Sequence, residues 1–268
     1  MQFAFPDFSG ATRRLILWNL GAYFVLLLVT SAHVVQPEWI LAHLGLYPPN
    51  LMVGQLWQPF TYSLVHLNLV NTLLQLLGLW FLAGFLEQMH SGNWVQGLYV
   101  ASVLGSAVAA VAIFVVGLQL GFPPPLVSIT GCTGGIFGMI AVIGLLHGDI
   151  EFRLMFLVGI KAKYLAAIYV LVALAQTFGE QRMYAYAQLG GAIAAVLYMR
   201  YAPRRGFGLE LSESLYGLRN RYYRWKRRRA ASKFQVYMKK QGRTVRFDGQ
   251  GRLIDEDDVK HNDRSRWN

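Results

Sequence analysis

Four polar side chains stand inside otherwise apolar runs, and their types suit the handling of a peptide amide. Thr133 follows Gly131-Cys132 and precedes Gly134; Gln188 sits within Ala187-Gln188-Leu189-Gly190-Gly191; Asn71 and Gln75 lie one helical turn apart in a third run. A hydroxyl attacks a peptide carbonyl only when a base removes its proton. Gln188 is no such base, because a carboxamide does not titrate in the accessible range. Threonine acts as a nucleophile where its own N-terminal amine is the base, and Thr133 is internal. Asn71 and Gln75 project from one face, each with an NH2 donor able to stabilise a negative oxygen. The four residues can therefore retain an oxyanion-binding pocket without a proton acceptor, or bond to one another as an interhelical polar clasp. Each link of such a clasp is worth about 0.6 to 2 kcal/mol. The clasp is the preferred expectation, since none of the four titrates.

A substitute base has to be sought among His33, His43, His66, His90, His147 and His261, none of which falls in the last apolar run. His147 lies about 21 Å of helical rise from Thr133. His66 is the one expected on the same side, where a hydrogen-bonded structural role is the simpler reading. A single cysteine, Cys132, excludes an internal disulfide framework and any multi-cysteine metal site, and it reads as a small buried residue. No cofactor, metal or phosphate-binding motif is expected. Glu87 is the one acid of the second run and, at its end, reads as a hydrogen-bonded tether. Without a ladder of acids a transporter is disfavoured.

These residues need apolar helices to position them. Hydrophobic residues make up 54% of the 268 and charged ones 15%, the balance of a polytopic membrane protein rather than a soluble domain. Runs near 14–34, 67–88, 94–117, 127–147, 162–179 and 184–201 each approach the roughly 20 residues that cross a bilayer. The first lacks the small-residue cleavage site of a removed signal peptide and is expected to stay as a helix. Residues 200–268 hold 19 of the 25 Lys and Arg and 8 of the 14 Asp and Glu, so the whole net charge of +11 lies in the tail. With Arg13 and Arg14 ahead of the first run and Arg153, Lys161 and Lys163 after the fourth, this is the positive-inside pattern with both termini cytoplasmic. The long connection over 35–66 is rich in Leu, Trp and Pro, and Trp39, Tyr47, Trp57 and Tyr62 are expected at the membrane interface. Gly131, Gly134, Gly135 and Gly138 against Ala187, Gly191 and Ala195 are spaced for close contact of two helices, which would bring Thr133 near Gln188.

Over residues 14–200 the chain resembles the rhomboid intramembrane proteases. Trp57-Gln58-Pro59-Phe60-Thr61 stands where the family writes Trp-Arg and a Phe-Thr pair, Gln58 replacing the arginine, and His66 stands where it keeps a structural histidine that holds the first loop together. Leu82-Ala83-Gly84-Phe85-Leu86-Glu87 and Ile160-Lys161-Ala162-Lys163-Tyr164 are further matches. The resemblance implies a six-transmembrane-helix, all-α bundle with an interfacial first loop. It aligns Thr133 with the catalytic serine, Gln188 with the catalytic histidine, and Asn71 and Gln75 with the oxyanion-stabilising His and Asn; it makes His66, Glu87, Gly131, Gly134 and Gly191 structural. Phe137 takes the place of an aromatic that packs beneath the histidine.

Three units are expected: a membrane domain over 1–202, a basic amphipathic helix over 203–232, and a polar tail over 233–268, hairpin or disordered. Leu211, Leu215, Leu218, Tyr222 and Trp225 share a helical face, while Arg219, Arg221, Arg224, Lys226, Arg227, Arg228 and Arg229 crowd the helix's second half, a pattern for anionic lipid headgroups. Nucleic acid is the less favoured partner of that run. By resemblance, the expected function is a rhomboid-like pseudoprotease of the plasma (inner) membrane that binds transmembrane segments of client membrane proteins without cutting them. The alternatives are an intramembrane peptidase using Thr133 with an unrecognised base, and a membrane scaffold that recruits partners through its tail.

Overall fold

The computed structural model describes residues 6–122, 124–154, 158–202 and 207–241. The chain divides into two compact units, one ending at Gly208 and the other beginning at Leu209. The first holds helix α1 (Gly10–Ser31), a loop with the short helices α2 (Pro37–His43), α3 (Pro48–Met52) and α4 (Gln58–Thr61), then α5 (Leu69–Met89), α6 (Gly92–Gln119) and α7 (Thr133–Leu146). A hairpin of β1 (Glu151–Leu154) and β2 (Val158–Lys161), paired Glu151 to Lys161, leads to α8 (Ala162–Gln176) and α9 (Arg182–Tyr201). This two-stranded element amends the all-α expectation. Proline in the first turn starts each short loop helix, where its missing N–H costs nothing. Asn68 and Ser91 cap α5 and α6 through bonds from the N–H groups of Asn71 and Trp94.

Among the described residues three helices, α1, α5 and α6, are long and apolar enough to cross a bilayer, and α7 and α8 are shorter apolar helices. Helix α9 has the length, but its interior is Ala and Gly rather than Leu and Ile. Those small residues are its packing surface: Ala185, Ala187, Gly190, Gly191, Ala192 and Ala195 are buried against protein. A Cβ added at Gly191 would lie 2.7 Å from the carbonyl oxygen of Gly134 on α7 and 3.0 Å from that of Ser102 on α6. One added at Gly138 would lie 3.0 Å from the Cβ of Ala195. The α7–α9 contact expected from glycine and alanine spacing is thus present. Ser102 and Ser106, buried on α6 in the same seam, bond back to the carbonyls of Leu98 and Ser102, 2.7 and 3.0 Å away, and so leave no hydroxyl proton unpaired.

The fourth apolar run is not helical from 127. Ile129 forms a two-way backbone bridge with Leu46 of the first loop (2.9 Å each way), Ser128 Oγ donates to Leu41 O, and Gly131 takes φ +87°, a conformation glycine adopts without strain. Helix α7 therefore begins only at Thr133 and spans about 21 Å, short of the roughly 30 Å hydrocarbon core.

The first loop departs from expectation at two points. Trp39 and Trp57 are each 49% exposed, as interfacial residues would be, but Tyr62 is 1% exposed and its hydroxyl donates to Val103 O. The side chain that organises the loop is Gln58. Fully buried, it accepts from the Tyr47 N–H and donates to Ala42 O and Gln55 Oε1. His66 pairs instead with Asn19 of α1 at 3.1 Å.

In the second unit α10 (Phe207–Lys240) is one long helix that runs past residue 232. Arg219, Arg221, Arg224, Lys226, Arg227, Arg228 and Arg229 all fall on it, and the Arg229 guanidinium lies 5.3 Å from the Trp225 ring centroid. The hairpin weighed for 245–254 lies outside the described residues.

Candidate functional site

A cavity of about 420 Å³ opens at one end of the helical domain. That end gathers the first turns of α5, α7 and α9, the last turn of α8 and the α8–α9 turn. Asn71, Gln75, Thr133 and Gln188 all line the cavity, so the four polar residues singled out in the sequence do meet.

They do not clasp one another: among the described residues no hydrogen bond joins any two of the four side chains. Gln75 spends its Oε1 on the N–H of Cys132 at 3.0 Å. Gln188 Oε1 is buried with no partner. The reason is steric. Gly131 holds the chain in a left-handed turn against the Gln75 amide, with a would-be Cβ 2.6 Å from Gln75 Oε1, and this aims the Cys132 N–H at Gln75 before Thr133 can reach it. The N–H groups of Thr133, Gly134 and Gly135 precede the first acceptor of α7, whose first bond runs from Ile136 N to Cys132 O. Helix α7 thus opens with free N–H donors at Thr133, and among the described residues no proton acceptor is bonded to the threonine hydroxyl.

His66 does not supply one. It is absent from the cavity wall, its Nε2 is engaged with Asn19, and burial pushes its imidazole down to about 4. His90 and His147 lie at the opposite end, rings 6.1 Å apart, with Trp94 stacked on His90 and Phe85 edge-on to His147. Phe137 is also turned away: it meets Tyr169 of α8 rather than Gln188.

The structural residues act as joints. Glu87 accepts from the N–H groups of Ala11 and Thr12 and from Thr12 Oγ1, at 2.7, 2.9 and 2.7 Å, and so caps α1 from the end of α5. Gly134 and Gly191 mark the closest α7–α9 approach.

Sequence reasoning missed the α8–α9 side of the cavity, where Gln176, Glu180, Gln181 and Tyr184 contribute. Glu180 is the one charged residue among the lining residues. A signal for it existed: it is one of six acids in residues 1–199, in a turn between two apolar runs on the side expected for Thr133. Tyr184 is fixed by donating to Ser128 O at 3.1 Å, which links α9 to the stretch that precedes α7.

A family model described as the Rhomboid domain matches residues 53–205, more than half of the chain. No curated protein matches it.

Proposed function

Because the chain belongs to the rhomboid family, we propose that it is a pseudoprotease, an integral membrane protein that receives a membrane segment of another protein in the amide-lined cavity and releases it uncut. What carries this reading is that Thr133 of α7 and Gln188 of α9 line one cavity: the residue that brings a hydroxyl to it shares the lining with a group unable to take a proton. The donors of Asn71, Gln75 and the start of α7 can still hold a peptide carbonyl, so binding chemistry survives where hydrolysis does not. On this reading α1, α5, α6, α7, α8 and α9 span the membrane, with α7 and α8 extended across it by their irregular flanks. The Arg13, Arg14, Lys161 and Lys163 end then faces the cytoplasm and the cavity the opposite side. The tail helix would bind anionic lipid, its Arg219, Arg221, Arg224, Lys226, Arg227, Arg228 and Arg229 carrying the charge.

One observation favours a second reading. Glu180 lines the same cavity as Thr133, so a threonine peptidase with a carboxylate base is the competing enzyme hypothesis. The test is incubation of purified protein with unstable transmembrane substrates and a serine-directed phosphonate probe. No cleavage and no labelling are expected. Cleavage that disappears in Thr133→Ala and in Glu180→Gln would establish the enzyme. Photocrosslinkers placed at Asn71 and Gln188 are expected to capture transmembrane partners, and capture is expected to persist when residues 204–268 are deleted. Loss of capture on that deletion would favour the tail-based scaffold. The double reversion Thr133→Ser with Gln188→His asks whether the old geometry still supports cutting.

A further inference from the structure

Formal charge in the cavity is one-sided. Gln75 has spent its carbonyl on Cys132 N–H, and Tyr184 donates its hydroxyl to Ser128 O. Two acceptors stand out: the carbonyl oxygen of Gln188, buried without a partner, and the carboxylate of Glu180, the one charged group of the lining. Among the described residues no Lys, Arg or His lines the cavity to answer them. A small rotation of the Gln188 amide toward an incoming N–H would pair this buried oxygen. We propose that the cavity is selective for a basic side chain, lysine or arginine, carried near the end of the membrane segment it receives.

The inference rests on the binding reading above and adds the chemistry of the client. Val127 and Met183 offer apolar wall for the methylene stem, while Glu180, in the exposed α8–α9 turn, stands at the rim where a charged head retains access to water. The Tyr184 ring adds a face that attracts cations. An acidic residue at the same depth would meet the Glu180 carboxylate with no compensating cation. A basic residue at the end of an apolar span is also costly to leave in lipid, so a client bearing one gains most from such a site.

The experiment uses the full chain in phosphatidylcholine nanodiscs and single-span peptides identical except for Lys, Arg, Leu or Glu at the position nearest the cavity mouth. Binding is read by fluorescence anisotropy and by crosslinking to a probe at Asn71. Lys and Arg peptides are expected to bind about tenfold more tightly than Leu, and Glu more weakly than Leu. Glu180→Gln should erase the preference, and Glu180→Lys should reverse it toward the Glu peptide. Because Glu180 is exposed in a turn, neither variant removes a packing contact. Equal binding of Lys and Leu, or a Lys preference untouched by both variants, would overturn this inference and leave the binding reading intact. Failure of every peptide, Leu included, would overturn both. A preference for Lys that vanishes when phosphatidylethanolamine is added and is recovered by washing it out would assign the site to a lipid ammonium and overturn the peptide source.

Discussion

At one end of the helical domain Glu87 collects three donors within 2.9 Å and ties α5 to the start of α1, and a stack of His90, Trp94, His147 and Phe85 fills the space beside it. At the other end, about one α5 length away, a carboxamide oxygen is buried without a partner beside a 420 Å³ void. Both ends must terminate apolar helices in polar surroundings, and both use side chains of the same kinds. Both leave polar atoms unmatched, His90 Nδ1 and His147 Nε2 at the first and Gln188 Oε1 at the second, but Gln188 belongs to the lining of the cavity. On the binding reading, a polar group that adds nothing to folding and belongs to a cavity wall is kept for something that arrives later.

That contrast can be broken at four points. The largest effect is expected from Glu87→Ala, which strands two N–H groups and a hydroxyl. Loss of these charge-assisted bonds should cost about 3 kcal/mol, read as a fall in thermal unfolding temperature in detergent, with crosslinking at the cavity retained in the surviving folded fraction. Gln75→Leu at the open end removes one acceptor from a buried N–H and should cost about 1–3 kcal/mol by the same measurement. A smaller effect is expected from acid. Burial first, and then neighbouring His147, holds His90 below its ordinary value. Below about pH 6.5 the unfolded chain therefore takes up a proton that the folded chain resists, and stability falls with pH. His90→Phe should flatten part of that slope, and an unchanged slope would remove His90 from the closed end's account. Smallest of all is Gln188→Leu, which deletes an acceptor that has no partner: stability should change by less than about 1 kcal/mol, upward, while capture of membrane segments declines. A drop of several kcal/mol would mean that Gln188 belongs to the fold after all.

The helices were legible because long apolar runs have few alternatives, and the α7–α9 seam because glycine and alanine at helical spacing have one evident use. Thr133, Gln188, Asn71 and Gln75 were brought to one cavity by the resemblance, not by spacing alone. What escaped was fine geometry. Gly131 turns the chain so that Gln75 is taken by the Cys132 N–H, and no local pattern announces that competition. Tyr62 has the amphipathic character of an interfacial residue, yet a carbonyl on α6 makes burial cheaper, so composition pointed the wrong way. Gln58 was noted only as the loss of an arginine, although an amide with both acceptor and donors can organise a loop without charge. Glu180 was passed over because a turn between helices reveals its neighbours only once α8 and α9 are packed.

The Leu46–Ile129 bridge, together with Ser128 on Leu41, sews the first loop to the stretch leading into α7. The stretch before α7 that lines the cavity through Val127 and Thr130 is consequently one mechanical piece with the first loop. The turn that bears Glu180 is held, among the described residues, by backbone bonds to its own flanking helices, such as Gly179 N to Gln176 O. Breathing of the mouth should therefore be one-sided, with amide exchange quickest from 177 to 181 and slow at 46 and 129. A guest would be admitted by a swinging hinge on the α8–α9 flank while the opposite wall stands still.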